Sequence, residues 1–385
     1  MDAVVTGLPV VAFITHSAQL SGAELFVLRV TAAAERIRPL VVLGEHGPLE
    51  GALTAKGVDV VVVPLGASVR SHTGRTSSGV ISLARKTAGV LGVAGRLAAL
   101  LRRRQVSVVT THSAKAHLYG GAAGRLVGLP VVAHLHAVLG SGDAGPRNTA
   151  LLRVALRVLS THAVANSRVT ADSARLGGRA VHVVGCPVTI PEAVPAPPDG
   201  PVFTVVGRLS PSKGQHLVVR AFASIVQQHV LSGARLRLVG SALFDRDCSY
   251  EARLRELVDE LGVAERVDFV GQVDDVAAEL ARCDVAVHAS LVEEGFGQVV
   301  VEAMAAGRPV VASSAGGPAE IITDGVDGLL VEPGSVDALE AAMRQTVLDA
   351  DLRQALGNGG RRRAAAFTLD GIVQRLESIL LAAQR

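Results

Sequence analysis

The chain of 385 residues has no tryptophan, 3% aromatic residues and three cysteines, and each scarcity removes a class of protein. With so few rings there is little to stack on bases, and a net charge of +3 is modest for this length, so nucleic acid is not an expected partner. Cys186, Cys248 and Cys283 have no C-x-x-C spacing and leave one thiol over, which argues against a disulfide framework and against a structural zinc site. That usage fits a reducing, cytoplasmic compartment. Long apolar runs are missing too: the 49% hydrophobic content is scattered in short stretches of Ala and Val. The uncharged stretch from Ala3 to Ala23 is broken by Gly7, Pro9, Thr15, His16, Ser17 and Gln19 and follows Asp2 rather than a basic region, so neither a signal peptide nor a membrane span is expected there. No G-x-G-x-x-G follows the first β-branched run, which disfavours a nicotinamide enzyme.

What is present is a rhythm. Short β-branched runs alternate with helical stretches at Val10 to Ile14, Leu40 to Leu43, Val58 to Val63, Val106 to Thr110, Pro130 to Leu135 and Val181 to Val184. Strands alternating with helices imply a parallel sheet. Residues 191–201 then carry prolines at 191, 195, 197, 198 and 201, which fit neither a helix interior nor a central strand and read as a linker. Beyond them the rhythm resumes at Val202 to Val206, Arg235 to Val239, Val267 to Val270, Val285 to Ala289, Pro309 to Ala312 and Gly328 to Val331. The expected fold class is α/β, with doubly wound domains over 1–190 and 202–366 and a closing segment over 367–385. Ligands of such sheets sit beyond the carboxyl ends of the strands.

Three segments at those ends carry candidate chemistry. After the first strand, Ser21 and Glu24 are spaced as a capping box, while Gly22 would let a phosphate approach the amides of a helix N-terminus. After the strand at 202–206, the loop from Gly207 to Gly214 brings Arg208, a planar fork, and Lys213, a point charge, to a place suited to a diphosphate or to solvent. The segment from Glu293 to Gly307 has a glycine-rich loop with Glu294, Gly295, Phe296 and Gly297, followed by a helix that begins near Gln298 and holds Glu302 one turn in. Glu302 could accept from a vicinal diol such as a ribose, and the loop amides could receive an anion; a capped helix with incidental carboxylates is the plain alternative. Basic residues gather at Arg96, Arg102, Arg103 and Arg104 and at Arg147, Arg153 and Arg157, read either as solvated helix faces or as a surface for anionic lipid or a lipid-linked acceptor.

The segment from Glu294 to Glu302 resembles the E-x7-E motif of retaining family-4 glycosyltransferases with the GT-B fold. The stretches 206–214, 310–320 and 324–334 resemble the family's diphosphate loop and carboxyl-terminal pattern, and the likeness covers nearly the whole chain. The resemblance implies two Rossmann-like domains facing across a cleft, an acceptor-binding one first and a nucleotide-sugar domain second, with the final helix crossing back to the first. It implies that Arg208 and Lys213 bind the donor diphosphate, Glu302 the ribose, and Glu294 with the backbone of Gly295, Phe296 and Gly297 the donor sugar and its phosphate. Gly22 would approach the same diphosphate from the first domain. The strand ending Ala133-His134-Leu135-His136 resembles the segment that ends in the family's active-site histidine, which selects His136 over His134; a core-edge histidine is the alternative, and His112 is a further candidate for lining the cleft. Where many relatives carry Asn-Gly or Asn-Pro this chain has Gly185-Cys186-Pro187-Val188, so no role of that asparagine transfers.

The activity implied is transfer of a hexose from an NDP-sugar, UDP by default, to an acceptor hydroxyl of a sugar, lipid-linked glycan or small molecule, with retention. Catalytic roles fall to His136, Glu294, Arg208 and Lys213. No cofactor and no metal are expected, because cationic side chains and amides balance the diphosphate; the D-x-D pattern of Asp245 and Asp247 reads as a loop. The expected location is the cytoplasm, with peripheral contact at the inner membrane face left open by the basic clusters. A non-hydrolysing UDP-sugar epimerase and a non-catalytic nucleotide-sugar-binding subunit are the alternatives.

Overall fold

The computed structural model describes residues 7–66, 80–141, 145–192, 200–229, 231, 233–242 and 245–384. These form two compact units, one of residues up to 187 together with those from 369 onward, the other of 188–368.

In the first unit the strands β1 (Val10–Thr15), β2 (Arg38–Leu43), β3 (Asp59–Val62), β4 (Val106–Thr111), β5 (Val131–Leu135), β6 (His162–Ala165) and β7 (Val181–Val183) form one parallel sheet in the order β3-β2-β1-β4-β5-β6-β7. The central strands are buried on both faces, which is why Val-Val-Ala-Phe-Ile-Thr reads as a continuous apolar run rather than an alternation. Helices α1 (Gly22–Ala32), α2 (Pro48–Ala55), α3 (Val80–Arg103), α4 (Ala114–Leu126), α5 (Gly145–Leu159) and α6 (Arg168–Ala174) link the strands. Strand β6 is absent from the sequence reading: His-Ala-Val-Ala is too short and alanine-rich to signal a strand, and pairing with β5 and β7 supplies what propensity does not.

In the second unit β8 (Val202–Val206), β9 (Arg235–Val239), β10 (Val267–Gly271), β11 (Val285–His288), β12 (Val310–Ser313) and β13 (Leu329–Val331) pair in parallel in the order β10-β9-β8-β11-β12-β13. Its helices are α7 (Gln215–Gln227), α8 (Asp245–Glu260), α9 (Val276–Ala281), α10 (Gln298–Ala305), α11 (Gly317–Ile321), α12 (Val336–Leu348) and α13 (Ala350–Ala364). Phe203, Phe222, Leu236, Leu238, Val285 and Met343 lie in one core cluster that joins the sheet to α7 and α12. The unit is closed on itself where the Val188 amide donates to the Phe367 carbonyl at 2.9 Å, so the chain changes unit at Pro187 rather than at the proline run. Residues 193–199 of that run lie outside the described residues.

The last helix, α14 (Leu369–Ala382), belongs to the first unit. Ile372, Val373, Leu376 and Leu380 follow helical spacing and are buried, while the buried Glu377 carboxylate accepts from the amides of Glu35 and Arg36, each at 2.8 Å. Those amides lie just past the end of α1, so the carboxylate meets donors that would otherwise lack a partner. Much of the expected basic face is spent internally: Arg96 donates to the Pro64 carbonyl, Arg102 to Leu126, Arg153 to Ser173 and Leu139, and Arg157 to Arg175. No helix among the described residues is long and apolar enough to cross a membrane.

Candidate active site

Strand order reverses between β8 and β11, and both strands lead into loops that carry predicted residues. Beyond β8 the chain passes Gly207 to Ser210 and makes a 3-10 turn over Pro211–Lys213. It enters α7 through Gly214, whose backbone is left-handed at φ +68 and whose Cβ would lie 2.0 Å from the Ala289 carbonyl oxygen. Any side chain at Gly214 would push the two loops apart. They are also sewn together where the Leu291 amide donates to the Ser212 carbonyl at 2.8 Å, and the first loop is braced internally where the buried Gln215 side chain donates to the Arg208 carbonyl at 2.9 Å.

On this scaffold Lys213 Nζ donates to Glu294 Oε1, and His288 Nε2 lies 3.1 Å from the same oxygen. Burial alone would raise the Glu294 carboxyl, but His288 and Lys213 more than offset it and hold the group well below the ordinary carboxylate range. The carboxylate is therefore ionised, and one of the three ammonium protons of Lys213 is committed to it. The main chain of Glu294 is fixed from the other side, where its carbonyl accepts from the Gly317 amide at 2.8 Å. A Cβ on Gly316 would lie 2.3 Å from that carbonyl oxygen, so the contact demands glycine.

Arg208 Nη1 donates to Asp247 Oδ2 at 2.8 Å. This corrects the reading of the D-x-D pattern as a loop: Asp245 and Asp247 open α8, and Asp247 is buried at 3% exposure. Glu302, in α10, accepts from the Gln298 side chain at 2.9 Å. Phe296 is buried with its ring 5.4 Å from that of Phe367, and Gly297 caps α10 in a left-handed conformation. Arg208, Lys213, Glu294, Gly295, Phe296, Gly297 and Glu302 thus all sit on the loops and helix starts that follow β8 and β11. His288 and Gln298 were not singled out by sequence; a histidine closing a Val-rich strand just before the glycine loop was the available signal.

Gly22 and His136 belong to the first unit, whose own strand order reverses between β1 and β4. Ser21 is the N-cap of α1 by backbone, yet its hydroxyl donates to Glu24 instead of accepting an amide, and Thr15 also donates to Glu24 at 2.9 Å. The reciprocal capping box is not formed. Burial raises the Glu24 carboxyl above its ordinary value. A Cβ on Gly22 would meet nothing within 4 Å, so packing does not require glycine there.

His112 follows β4, His134 lies within β5 and His136 follows it. His112 Nδ1 and His136 Nε2 share a proton at 3.0 Å, and His112 Nε2 lies 3.2 Å from Thr110 Oγ1. The rings of His134 and His136 stack with centroids 4.3 Å apart, Phe26 meets His134 edge-on at 4.6 Å, and Phe13 stacks on His112 at 5.5 Å. The exit of β5 is fixed by Asn166, whose amide donates to the His136 carbonyl at 3.0 Å. Burial, reinforced by neighbouring histidines, holds His112 and His134 well below the ordinary imidazole range and pushes His136 down to about 3. All three are neutral near pH 7.

Comparison with known proteins assigns both units. Residues 189–363 match the family described as Glycosyl transferases group 1, and residues 25–190 match Glycosyltransferase Family 4. The structure of the Anabaena protein HepE in complex with UDP and glucose is similar over 96% of this chain and 98% of that one, with a TM-score of 0.81 and 26% identity. The GDP-mannose-dependent alpha-(1-6)-phosphatidylinositol monomannoside mannosyltransferase of Mycobacterium tuberculosis is 36% identical over 189 residues, 47% of each chain. The D-inositol 3-phosphate glycosyltransferase of Acidothermus cellulolyticus is 38% identical over 181 residues, 46% of this chain and 40% of that one. The matched stretch thus spans about half the length, or less, of these curated relatives. The two parallel-sheet units and these neighbours identify the fold as GT-B.

Proposed function

The chain belongs to glycosyltransferase family 4, and on that premise we propose that it transfers a hexose from a UDP-sugar to an acceptor hydroxyl with retention of configuration. The observation that carries the reading is the Lys213, Glu294 and His288 cluster at the switch point of the second sheet. Lys213 has donors left for phosphate oxygens, and Arg208, oriented by Asp247, adds a second cation from the same loop. Charge that develops on the departing diphosphate is stabilised by these groups and by the amides that open α10. Ionised Glu294 accepts from hydroxyls of the transferring sugar, with the backbone of Gly295, Phe296 and Gly297 beside it, while Glu302 takes the ribose diol.

From the first unit, exposed Gly22 opens α1 with open space around the position a Cβ would take, which suits approach of a phosphate, and neutral His136 is suited to an uncharged hydroxyl. No cofactor and no metal ion on the diphosphate are required. UDP is favoured by the complexes of the Anabaena relative with UDP, with UDP-glucose and with UDP and glucose. On the acceptor side, α5 exposes Leu151, Val154 and Val158 on one face with Arg147, an apolar and basic stripe that favours peripheral contact with a cytoplasmic membrane face or a lipid-linked acceptor.

The test is direct. UDP-glucose and GDP-mannose are compared by thermal shift, where the true donor raises the melting temperature most, and UDP release is followed with and without a panel of lipid-linked and sugar acceptors. Acceptor-dependent release with an α-linked product from an α-linked donor is expected. A stronger shift with GDP-mannose would overturn the donor, and an inverted product the stereochemistry.

A further inference from the structure

The cluster of His112, His134 and His136 in the first unit is more than the transfer reaction asks for. One nitrogen from each of His112, His134 and His136 lies within 4.8 Å of the others, and no other group of three His, Cys, Asp or Glu converges in this way among the described residues. His134 contributes an anomaly: both of its ring nitrogens are buried and neither has a hydrogen-bond partner. Buried polar atoms are as a rule satisfied, so each exception calls for a ligand or a reason.

We propose that His112, His134 and His136 form a binding site for zinc, and that zinc held there inhibits transfer by occupying His136. An all-imidazole donor set selects a late first-row ion over magnesium or calcium, which want oxygen ligands. In a tetrahedral zinc site with bonds of about 2.0–2.1 Å the ligand nitrogens sit roughly 3.4 Å apart. The His112 to His136 separation of 3.0 Å is already close to that, and a ring nitrogen of His134 lies within 4.8 Å of both, so His134 must draw in to join them.

The proton arrangement fits as well. When His112 binds through Nδ1 its proton moves to Nε2, where Thr110 Oγ1 at 3.2 Å accepts it, the outer hydrogen bond that metal-bound imidazoles ordinarily make. His136 binds through Nε2, the atom that now faces His112, and His134 gains the partner it lacks. Phe13 and Phe26 pack around the rings and supply an apolar shell. Three protein ligands leave a fourth position for water or an anion. The site departs from the sequence expectation of no bound metal, and its inhibitory effect rests on the role given to His136 above.

Metal-free full-length protein is titrated with zinc chloride by calorimetry and with cobalt(II) by visible absorption, where a tetrahedral site gives intense bands and scattered surface histidines do not. One equivalent is expected to bind, to raise the melting temperature and to inhibit UDP release. His134→Leu and His134→Asn, neither in the transfer machinery, are expected to keep basal activity and to lose zinc affinity by more than about 100-fold, beyond what loss of an outer-shell partner costs. Retained zinc binding in both folded variants, or no intense cobalt spectrum in the wild type, would overturn the site and leave the transferase reading untouched. Binding that depends on His134 but leaves UDP release unchanged would overturn the inhibition, and with it the role of His136, while the site stands.

Discussion

In the first unit the residues gathered at the carboxyl ends of β4 and β5 are imidazoles kept uncharged among Phe13 and Phe26, whereas in the second those beyond β8 and β11 are a buried carboxylate and an ammonium in direct contact. Both sets stand near the reversal of strand order, the place an open parallel sheet leaves free for ligands. The sheets are therefore equivalent supports and the chemistry differs by what each loop presents. Under the proposed function, charge is stationed where the donor diphosphate would be held. Neutral, partly apolar groups are stationed where that proposal places the acceptor hydroxyl.

The largest effect expected from breaking this contrast comes from the cation. Lys213→Ala removes the ammonium and leaves the buried Glu294 carboxylate with His288 alone, so turnover should fall by about two to three orders of magnitude, the scale of losing one preorganised donor to a developing anion. Lys213→Arg should restore only part of it, because a planar fork cannot reproduce a point charge at the same atom. Initial rates at saturating UDP-glucose decide the matter; a loss confined to KM would mean that Lys213 binds donor and transition state equally.

Glu294→Gln sharpens the contrast within the second unit. The amide keeps the volume but withdraws the charge, so turnover should drop by about 10 to 100-fold while free UDP, which lacks the sugar, binds nearly as before. Glu302→Gln should do the reverse, weakening free UDP by about 1 to 3 kcal/mol through loss of a charged acceptor for the ribose. Calorimetry with UDP beside kinetics with the full donor separates the two. Equal losses of UDP affinity in both variants would dissolve the division of labour between the glutamates.

How much of this was legible in the sequence follows the same divide. The second unit is legible nearly element by element, because its candidate site comes from two short contiguous segments, 207–214 and 293–302, each framed by a strand and a helix. What escaped were contacts that only tertiary structure makes: Asp247 reaching Arg208 from α8, and His288 reaching Glu294. In the first unit the histidines come from strand ends separated by the whole of α4, so their convergence could not be read from spacing. His134 was passed over in favour of His136, and β6, which supplies Asn166 to hold that loop, was missed for want of β-branched residues. Glu24 looked like one half of a helix cap and is instead a buried acceptor for two hydroxyls.

The smallest effect is a difference in acid sensitivity between the units. Buried His117, whose Nδ1 lies 2.7 Å from Thr111 Oγ1, is pushed down to about 3 by burial, so the fold holds it neutral while the unfolded chain binds a proton near 6.5. Its contribution to stability is present above pH 6.5 and is lost as pH falls toward 3. Glu294 is lowered from an ordinary value of 4.5, so its contribution is complete above that pH and is lost only below it. Acidification from pH 7 to about pH 5 should therefore weaken the first unit through its buried histidines while the Glu294 cluster of the second stays intact. His117→Asn, whose amide can meet the Thr111 hydroxyl without titrating, should show a shallower fall in melting temperature over that window than the wild type. Glu294→Gln should run parallel to the wild type there and converge on it only in stronger acid. Parallel curves for all three proteins down to about pH 5 would show that the buried imidazole of the first unit does not set its acid response.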